Sequence, residues 1–296
     1  MNDAEPDWNL YRSFLAVLRE GSLSGAARAL DLTQPTLARH IEGLEDAIGL
    51  KLFTRSHQGL AATEAALELA PYAESLEATA ASMLRTASGL GHEIKGTVRI
   101  SASEMVGAEI LPSILAGLRE RHPDLEFEVV LSNAVDNLLR RDADIAVRMV
   151  EPVQEALVIR RLGDIALGFH AHKRYLERAG VPRTVEALAD HSLIGFDRET
   201  PAIRAMRARA SGFESIRFAF RADSDVAQFQ AIRAGFGIGV CQVSLAKRDE
   251  NLMHVLPEIL PLKLGVWLAM HENLRNTPRC RAVFDGLAAG LAPYVD

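Results

Sequence analysis

Apolar and polar positions alternate at helical spacing from the start of the chain. A helix over residues 8–19 is predicted, because its apolar side chains fall on one face: Leu10, Phe14, Val17 and Leu18. Gly21 is expected to end this helix. A short second helix, GAARAL, follows with Ser24 as its expected N-cap, and its paired alanines allow another helix to approach closely.

A third helix is predicted from its N-cap, Thr33, to Gly49, with Pro35 in the first turn, where its missing N–H costs nothing. The apolar residues of one face are expected to be buried: Leu37, Ile41, Leu44 and Ile48. The opposite, outward face is polar: Gln34, Thr36, Arg39 and His40. Residues 50–54 and 60–63 then predict a short two-stranded hairpin.

From Glu64 the pattern becomes that of one long helix. Leu69, Leu76, Met83 and Leu90 are spaced by seven residues, with alanines between them at positions 73, 80 and 87. This spacing indicates a helix that pairs with a second copy. The alternative is an amphipathic helix packed on its own domain.

After residues 91–96 the chain alternates between strands and helices. The predicted strands are TVRISAS, LEFEVVL, DIAVRM, IALGFHA, SLIGF, IRFAF, GIGVC and LGVWLAM. The predicted helices cover residues 110–121, 135–141, 174–179, 226–234 and 278–291. Such alternation implies a parallel sheet with right-handed crossovers, divided between two adjacent α/β lobes.

Composition excludes some classes of protein. A chain of 296 residues with 48% hydrophobic residues has room for two or three domains. The first ten residues lack the apolar core of a signal peptide, and no apolar run is long enough to span a bilayer, so we expect a cytoplasmic protein without a membrane role. Cys241 and Cys280 are far apart and are expected to be reduced thiols. The net charge of −6, and six basic against nine acidic residues within 1–66, argue against nucleic-acid binding unless the positive charges are specifically placed.

Two motifs raise the possibility of an enzyme or a cofactor site. His170 and His172 alternate on a predicted strand and share one face, but two imidazoles without a third ligand make a poor zinc site. Gly235, Gly237 and Gly239 follow a helix and enter a strand, whereas a dinucleotide fingerprint runs from strand through glycines to helix. We therefore expect no catalytic residues, no metal and no cofactor.

The segment 22–64 strongly resembles the LysR-type transcriptional regulators. It combines an alanine pair in the second helix, Thr-Gln-Pro opening the third, Leu44-Glu45, Gly49, Leu52-Phe53, Arg55 and Thr63-Glu64. Later segments follow the family order, with GTVRI from residue 96 and AGFGIG from residue 234. The resemblance implies an N-terminal all-α winged helix-turn-helix, a linker helix, and a two-lobed α/β domain resembling type 2 periplasmic binding proteins.

The resemblance also implies that the third helix enters the major groove of DNA and that the hairpin is the wing. The residues expected to contact DNA are Thr33, Gln34, Pro35, Thr36, Arg39, His40 and Arg55. Gln34 and Arg39 have the reach to pair with adenine and guanine, respectively. Ala38 and His40 differ from the residues usual in the family, which leaves the operator sequence open.

In the family a small-molecule effector binds between the two lobes, at the carboxyl ends of strands. The residues expected there are Ser101, Ser103, Glu104, Arg148, Phe196, Asp223 and Ser224. Ser103 and nearby N–H groups could hold an anion such as a carboxylate, although Ser103 and Ser224 could equally be plain helix caps. Glu104, Asp223 and Asp225 suggest instead an effector with a cationic group, unless Arg148 neutralises Glu104.

These expectations divide the chain into three parts: a DNA-binding domain over 1–66, a dimerising linker helix over 67–91, and an effector-binding domain over 92–296. Within the last, lobe I covers about 92–163 and 269–296, and lobe II about 164–268. The expected partners are double-stranded operator DNA, an effector and further copies of the chain, as a homodimer or homotetramer. A pure solute-binding protein would fit 92–296 but leaves the first 90 residues unexplained.

Overall fold

The computed structural model describes residues 6–56, 59–88, 93–133, 143–152, 157–199, 217–259 and 262–296, together with Arg204. The chain forms two compact units that divide between Leu84 and Arg85. No helix in these ranges is long and apolar enough to cross a membrane.

The first unit begins with three helices: α1 (Trp8–Glu20), α2 (Leu23–Ala29) and α3 (Gln34–Ile48). Thr33 caps α3, and Gly49 ends it in the left-handed conformation, as predicted. The predicted cap of α2 is wrong. Ser22, not Ser24, accepts a hydrogen bond from the amide of Gly25, because Ser22 has the extended backbone of an N-cap and Ser24 already lies inside the helix.

The core of the first unit lies where these helices meet. Its fully buried side chains include Phe14, Leu15, Val17, Leu37, Leu44 and Leu52. Each contributes about 1.5–3 kcal/mol through burial. Two strands, β1 (Phe53–Ser56) and β2 (Gly59–Ala62), form an antiparallel hairpin on this core. β1 begins three residues later than the predicted 50–54, and β2 begins one residue earlier than the predicted 60–63. Residues 57 and 58 lie outside the described ranges.

A 25-residue helix, α4 (Glu64–Ser88), follows and runs through Pro71. Its first turns pack on the core of the first unit through Ala66, Ala70 and Ala73. Farther along, large apolar side chains are exposed, among them Leu76 and Met83. Leu90, the last member of the predicted seven-residue repeat, lies outside the described residues.

The described residues of the second unit contain nine strands. They are β3 (Gly96–Ala102), β4 (Leu125–Leu131), β5 (Ile145–Arg148), β6 (Leu157–His172), β7 (Leu193–Gly195), β8 (Phe218–Arg221), β9 (Ile238–Gln242), β10 (Leu252–Val255) and β11 (Lys263–His271). They pair in the order β4-β3-β5-β11-β6-β9-β7-β8, with β10 on β6.

The expectation of a parallel sheet is wrong, because the sheet is mixed. β3 pairs in parallel with β4 and β5, and β7 with β8 and β9. The long strand β6 is antiparallel to β11 through its first ten residues and to β9 near its end. Alternation of elements reveals their type, but the direction of strands such as β6 and β11 depends on where the chain returns to the sheet.

Six helices of the second unit lie within the described ranges: α5 (Glu104–Glu109), α6 (Leu111–Arg121), α7 (Lys173–Ala179), α8 (Asp225–Arg233), α9 (Val243–Ala246) and α10 (Pro278–Leu291). Three 3₁₀ turns accompany them, at Glu186–Asp190, Glu272–Leu274 and Ala292–Tyr294. The helix predicted over 110–121 corresponds to α6, which begins one residue later, and the short helix α5 that precedes it was not predicted. The helix predicted over 135–141 lies outside the described residues.

The glycines after α8 are packing residues, as their order predicted. A β-carbon on Gly237 would lie 1.9 Å from the carbonyl oxygen of Ser192. One on Gly239 would lie 2.8 Å from Ile232 of α8. Glycine is therefore required for α8 to turn into β9 at this close approach.

Candidate functional site

The N-terminal end of α3 presents polar side chains to solvent. Thr33, Gln34, Pro35 and Arg39 are exposed, and Thr36 is half-buried. The hydroxyls of Thr33 and Thr36 lie 2.8 Å apart and hydrogen bond to each other. In the described part of the chain nothing pairs with the guanidinium of Arg39, so this charge is available to a partner.

His40 differs from its predicted position on the outward face of α3. Its Nδ1 lies 2.8 Å from the hydroxyl of Ser13, a fully buried residue of α1. The ring is half-buried and turned partly towards α1. His40 therefore helps to fix α3 against α1.

Glu45 joins the end of α3 to the hairpin. Its Oε1 accepts hydrogen bonds from the amides of Leu52, at 2.9 Å, and Phe53, at 3.4 Å, and its Oε2 lies 2.5 Å from Lys51 Nζ. Burial alone would raise the pKa of Glu45, but these hydrogen bonds outweigh it and leave the pKa below its ordinary value. Arg55, an exposed residue of β1, is thereby held on a hairpin that is fixed to α3.

The second group of predicted residues lies at the carboxyl ends of four strands: β3, β5, β7 and β8. Ser103 occupies the N-cap position of α5, but its side chain makes no capping hydrogen bond, and its Oγ is buried without a partner. Ser224, by contrast, caps α8 by accepting from the amide of Ala227. The alternative of a plain helix cap thus describes Ser224 and does not describe Ser103.

Arg148 is almost fully buried, with 5% of its surface exposed. One of its terminal nitrogens donates to Ser101 Oγ at 2.8 Å and the other to the carbonyl of Val147, whereas Nε has no partner. Burial lowers the pKa of this guanidinium. The suggestion that Arg148 neutralises Glu104 is not supported, since no ion pair to Arg148 occurs among the described residues.

The acidic side chains at this edge are already engaged within the protein. Glu104 Oε2 accepts from Ser224 Oγ at 2.8 Å. Asp225 accepts from Asn133 Nδ2 at 3.0 Å, and burial raises its pKa despite this bond. Asp223 accepts from the amides of residues 197 and 198 and pairs with the side chain of Arg198 at 3.3 Å.

Asn133 lies at this edge but was not predicted as a site residue from the sequence. Its Oδ1 accepts from the amide of Glu104 while its Nδ2 donates to Asp225, so one amide joins β4 to both α5 and α8. Its place just after β4, at the same edge as Ser103, was the available signal. Phe196, predicted beside Asp223, is half-buried after β7, and no polar group or ring within the described ranges ties it to Ser103 or Arg148.

A different cluster lies at the opposite end of β5. Asp144 accepts from Arg85 Nε at 3.1 Å and from the amide of Arg99 at 2.9 Å. Arg279, at the start of α10, donates to the carbonyl of Arg85. The last turn of α4 is thereby fastened to the first residues of β5.

His170 and His172 do not form a metal site with a third ligand in the described parts of the chain. His170 is buried, stacks on His254 at 4.6 Å, and lies with its Nδ1 2.9 Å from the carbonyl of Gly168 and 3.3 Å from Cys241 Sγ. Burial lowers the pKa of His170 to about 4 and raises that of the Cys241 thiol to about 12. His172 caps α7. Both histidines therefore have structural roles.

Comparison with known proteins covers nearly the whole chain. Residues 8–67 match the bacterial regulatory helix-turn-helix protein family of the lysR type, and residues 91–292 match the LysR substrate binding domain. The regulator CrgA of Neisseria meningitidis serogroup C is 30% identical over 188 residues, which are 62% of this chain and 61% of that relative. The aligned part thus spans less than two thirds of the length of CrgA.

Solved structures share the fold over their full length. The virulence activator AphB of Vibrio cholerae has a TM-score of 0.61 and 20% identity, covering 96% of this chain and 99% of that one. CbnR, solved in complex with its target DNA, has a TM-score of 0.67 and 17% identity over 96% and 99% of the two chains. These matches confirm the predicted fold class, a helix-turn-helix domain followed by a binding domain.

The family is one of transcriptional regulators rather than enzymes, which agrees with the expectation from the sequence. The structural matches to CrgA and AphB extend over 97% and 96% of this chain, so they include the three-helix unit, the long helix and the mixed-sheet unit. The chain belongs to the LysR family of transcriptional regulators.

Proposed function

We propose that the protein regulates transcription by binding operator DNA through α3 and the β1–β2 hairpin, under the control of a small-molecule effector. The observation that carries this proposal is the exposed end of α3, where Gln34 and Arg39 project without partners from a helix capped by Thr33. A helix end of this kind fits the major groove. The DNA complex of CbnR, a protein of the same fold, supports the assignment.

The DNA contacts proposed are those of the sequence prediction: Thr33, Gln34, Pro35, Thr36, Arg39, His40 and Arg55. Arg39 is the principal contact, because it combines exposure with a free charge, and Arg55 contributes from the hairpin. His40 has a smaller role, since Ser13 already holds one of its ring nitrogens.

We further propose that α4 joins two copies of the chain. Several of its large apolar side chains are well exposed: Leu67, Tyr72, Leu76, Met83 and Leu84. Leu76 and Met83 are seven residues apart, and exposed apolar residues at this spacing favour pairing of two helices. A twofold dimer would present two α3 helices to half-sites about 34 Å apart or a multiple of it, on a pseudo-palindromic operator. The domain limits of 1–66, 67–91 and 92–296 belong to this proposal.

The effector is proposed to bind between the two halves of the mixed sheet. Ser101, Ser103, Glu104 and Arg148 lie on β3, α5 and β5, and Phe196, Asp223 and Ser224 lie in the half that contains β7 and α8. The hydrogen bond from Ser224 to Glu104 already links these two sets. An effector that prefers one arrangement of the halves would change operator binding, whereas one with equal affinity for both would not.

The test is a fluorescence-anisotropy titration of the full chain against DNA from upstream of its own coding sequence, with random duplex as competitor. We expect Arg39→Ala to weaken specific binding about tenfold to hundredfold. Arg12→Ala removes an exposed charge from α1 instead and should weaken binding far less. Equal losses in the two variants, or binding that random duplex competes away equally well, would refute recognition by α3.

A further inference from the structure

The two halves of the mixed sheet are joined through β6. The first half contains β3, β4, β5 and α5, and the second contains β7, β8, β9 and α8. Within the described sheet, β6 pairs with β11 up to Ala166 and with β9 from Leu167 onwards, so this strand passes from one half to the other. A strand shared in this way can act as a hinge, and contacts away from it then decide whether the halves stay together.

At the N-terminal ends of α5 and α8, two hydrogen bonds cross between the halves. Ser224 Oγ donates to Glu104 Oε2 at 2.8 Å. Asn133, which follows β4, donates through Nδ2 to Asp225 at 3.0 Å and accepts through Oδ1 from the amide of Glu104. The first turns of the two helices are therefore tied to each other directly and through the amide group of Asn133.

At the C-terminal ends of the same helices, an ion pair crosses between the halves. Arg233 Nη1 lies 3.0 Å from each carboxylate oxygen of Glu109, and Gln230 donates to the same carboxylate at 3.4 Å. Arg233 is also held within its own half, because its guanidinium lies 4.2 Å from the ring centroid of Phe229 and its Nε lies 3.5 Å from Asp249. The side chains of Arg233 and Glu109 are only 32% and 17% exposed, so water screens this pair less than a pair on the open surface.

We propose that these contacts form a clasp that holds the two halves closed on each other when no ligand is bound. The clasp consists of Glu104, Glu109 and Asn133 on the first half and Ser224, Asp225 and Arg233 on the second. Its two ends lie about 8 Å apart along α5, at 1.5 Å for each residue. Because α5 and α8 are tied at both ends, the clasp opposes rotation of the halves as well as their separation.

The clasp determines what a ligand must do to change the arrangement of the halves. A ligand that prefers the open form must supply the free energy of breaking the clasp, whereas one that prefers the closed form finds that form already present. The proposal goes beyond the regulatory function proposed above, since it concerns the state of the second unit without ligand. Its test involves no DNA, so either proposal can fail without the other.

The test measures the distance between the halves in the full chain without ligand. Nitroxide labels are attached to cysteines introduced at two exposed positions, Glu120→Cys on α6 and Glu177→Cys on α7, while the native Cys241 and Cys280 are buried. Dilution with unlabelled chain restricts the signal to distances within one chain. Double electron–electron resonance should then give one narrow distribution for the chain with an intact clasp.

Substitutions at the clasp should shift this distribution towards longer distances. Arg233→Met removes the charge but keeps an apolar stem against Phe229, and it should raise the ratio of open to closed molecules at least about fivefold. Glu109→Ala should act similarly, and the two together should do no more than either alone, because both break the same pair. Adding Glu104→Ala to Arg233→Met should open the halves further. Arg183→Met removes an exposed charge from the second half and should leave the distribution unchanged.

Salt provides a readout that needs no substitution at the clasp. Raising sodium chloride from about 0.1 M to about 1 M should broaden the distribution when Arg233 is present and should have little effect on Arg233→Met. The proposal is overturned if the chain with an intact clasp is already spread over long distances, or if Arg233→Met with Glu104→Ala leaves the distribution unchanged. If circular dichroism shows that this variant has lost its fold, the salt series decides, and the absence of broadening overturns the proposal.

Discussion

Glu45 tests how the hairpin is attached to the proposed recognition helix. Its side chain is 7% exposed and bonds to the amides of Leu52 and Phe53, while Lys51, its ion-pair partner, is 72% exposed. Two explanations of its role can be separated: an acceptor for backbone amides, or a partner for a charge. They predict different effects for different substitutions.

The expected losses of stability follow from the burial of Glu45 and of the amides that it binds. Replacement of Glu45 by alanine leaves the buried amide of Leu52 without an acceptor, which costs about 1–3 kcal/mol. The 3.4 Å bond to Phe53 adds little at that length. Glu45→Gln keeps one carbonyl oxygen for the Leu52 amide and loses only the ion pair, which is worth about 0.2–1 kcal/mol for so exposed a lysine. Lys51→Met should cost equally little.

The assay is hydrogen exchange at the amides of α3 and β1 in the full chain. A loss of about 2 kcal/mol corresponds to roughly 30-fold faster exchange, so Glu45→Ala should accelerate exchange by about that factor and Glu45→Gln by less than about fivefold. Glu42→Gln, on an exposed face of the same helix, is the matched control and should have no effect. If Glu45→Gln or Lys51→Met were as damaging as Glu45→Ala, the amide-acceptor explanation would be refuted.

Three other predictions concern stability. Ser22→Ala should cost about 1 kcal/mol in urea unfolding by removing the cap of α2, whereas Ser24→Ala should cost almost nothing. Gly237→Ala should lower the free energy of unfolding by more than about 3 kcal/mol, because the new β-carbon would lie 1.9 Å from a backbone oxygen. Gly117→Ala, inside α6, should raise the free energy of unfolding by about 0.5–1 kcal/mol. Thermal unfolding of the two variants measures both changes. The pKa of His170 is lowered to about 4 in the folded chain, so its contribution to the free energy of unfolding is complete above pH 6.5 and is lost as the pH falls towards 4. His170→Gln should therefore make the free energy of unfolding in urea less dependent on pH across that range. An unchanged pH dependence would contradict this explanation.

Local signals predicted the helices well. The limits of α3 follow from Thr33, Pro35 and Gly49, each of which acts within one turn of its own position. Ser22 and Ser24 show where such signals fail: both are good capping residues, and only the extended backbone at position 22 decides between them. The start of α6 did have a local signal, since Pro112 lies in its first turn and the helix begins within one residue of the predicted position.

Long-range features were predicted less well. The direction of β6 depends on its partners β9 and β11, whose paired residues lie about 70 to 115 positions away along the chain. The polar residues at the strand ends were predicted from their positions in the sequence. Their hydrogen-bond partners could not be predicted, because these depend on which side chains meet in the fold. Glu104 meets Ser224, 120 residues away, and Arg148 meets Ser101 rather than a carboxylate. Counting acidic residues could not reveal that their oxygens were already taken.

The short strand β5 has one consequence for signalling. Just before β5, Asp144 accepts a hydrogen bond from Arg85 in the last turn of α4. At the carboxyl end of β5, Arg148 belongs to the proposed effector site. Four extended residues, about 13 Å of backbone, separate these ends. Both neighbours of β5 hydrogen bond to it, so the strand is held on both sides. We therefore expect a displacement at one end of β5 to be passed to the other, because no loop interrupts the strand between Asp144 and Arg148.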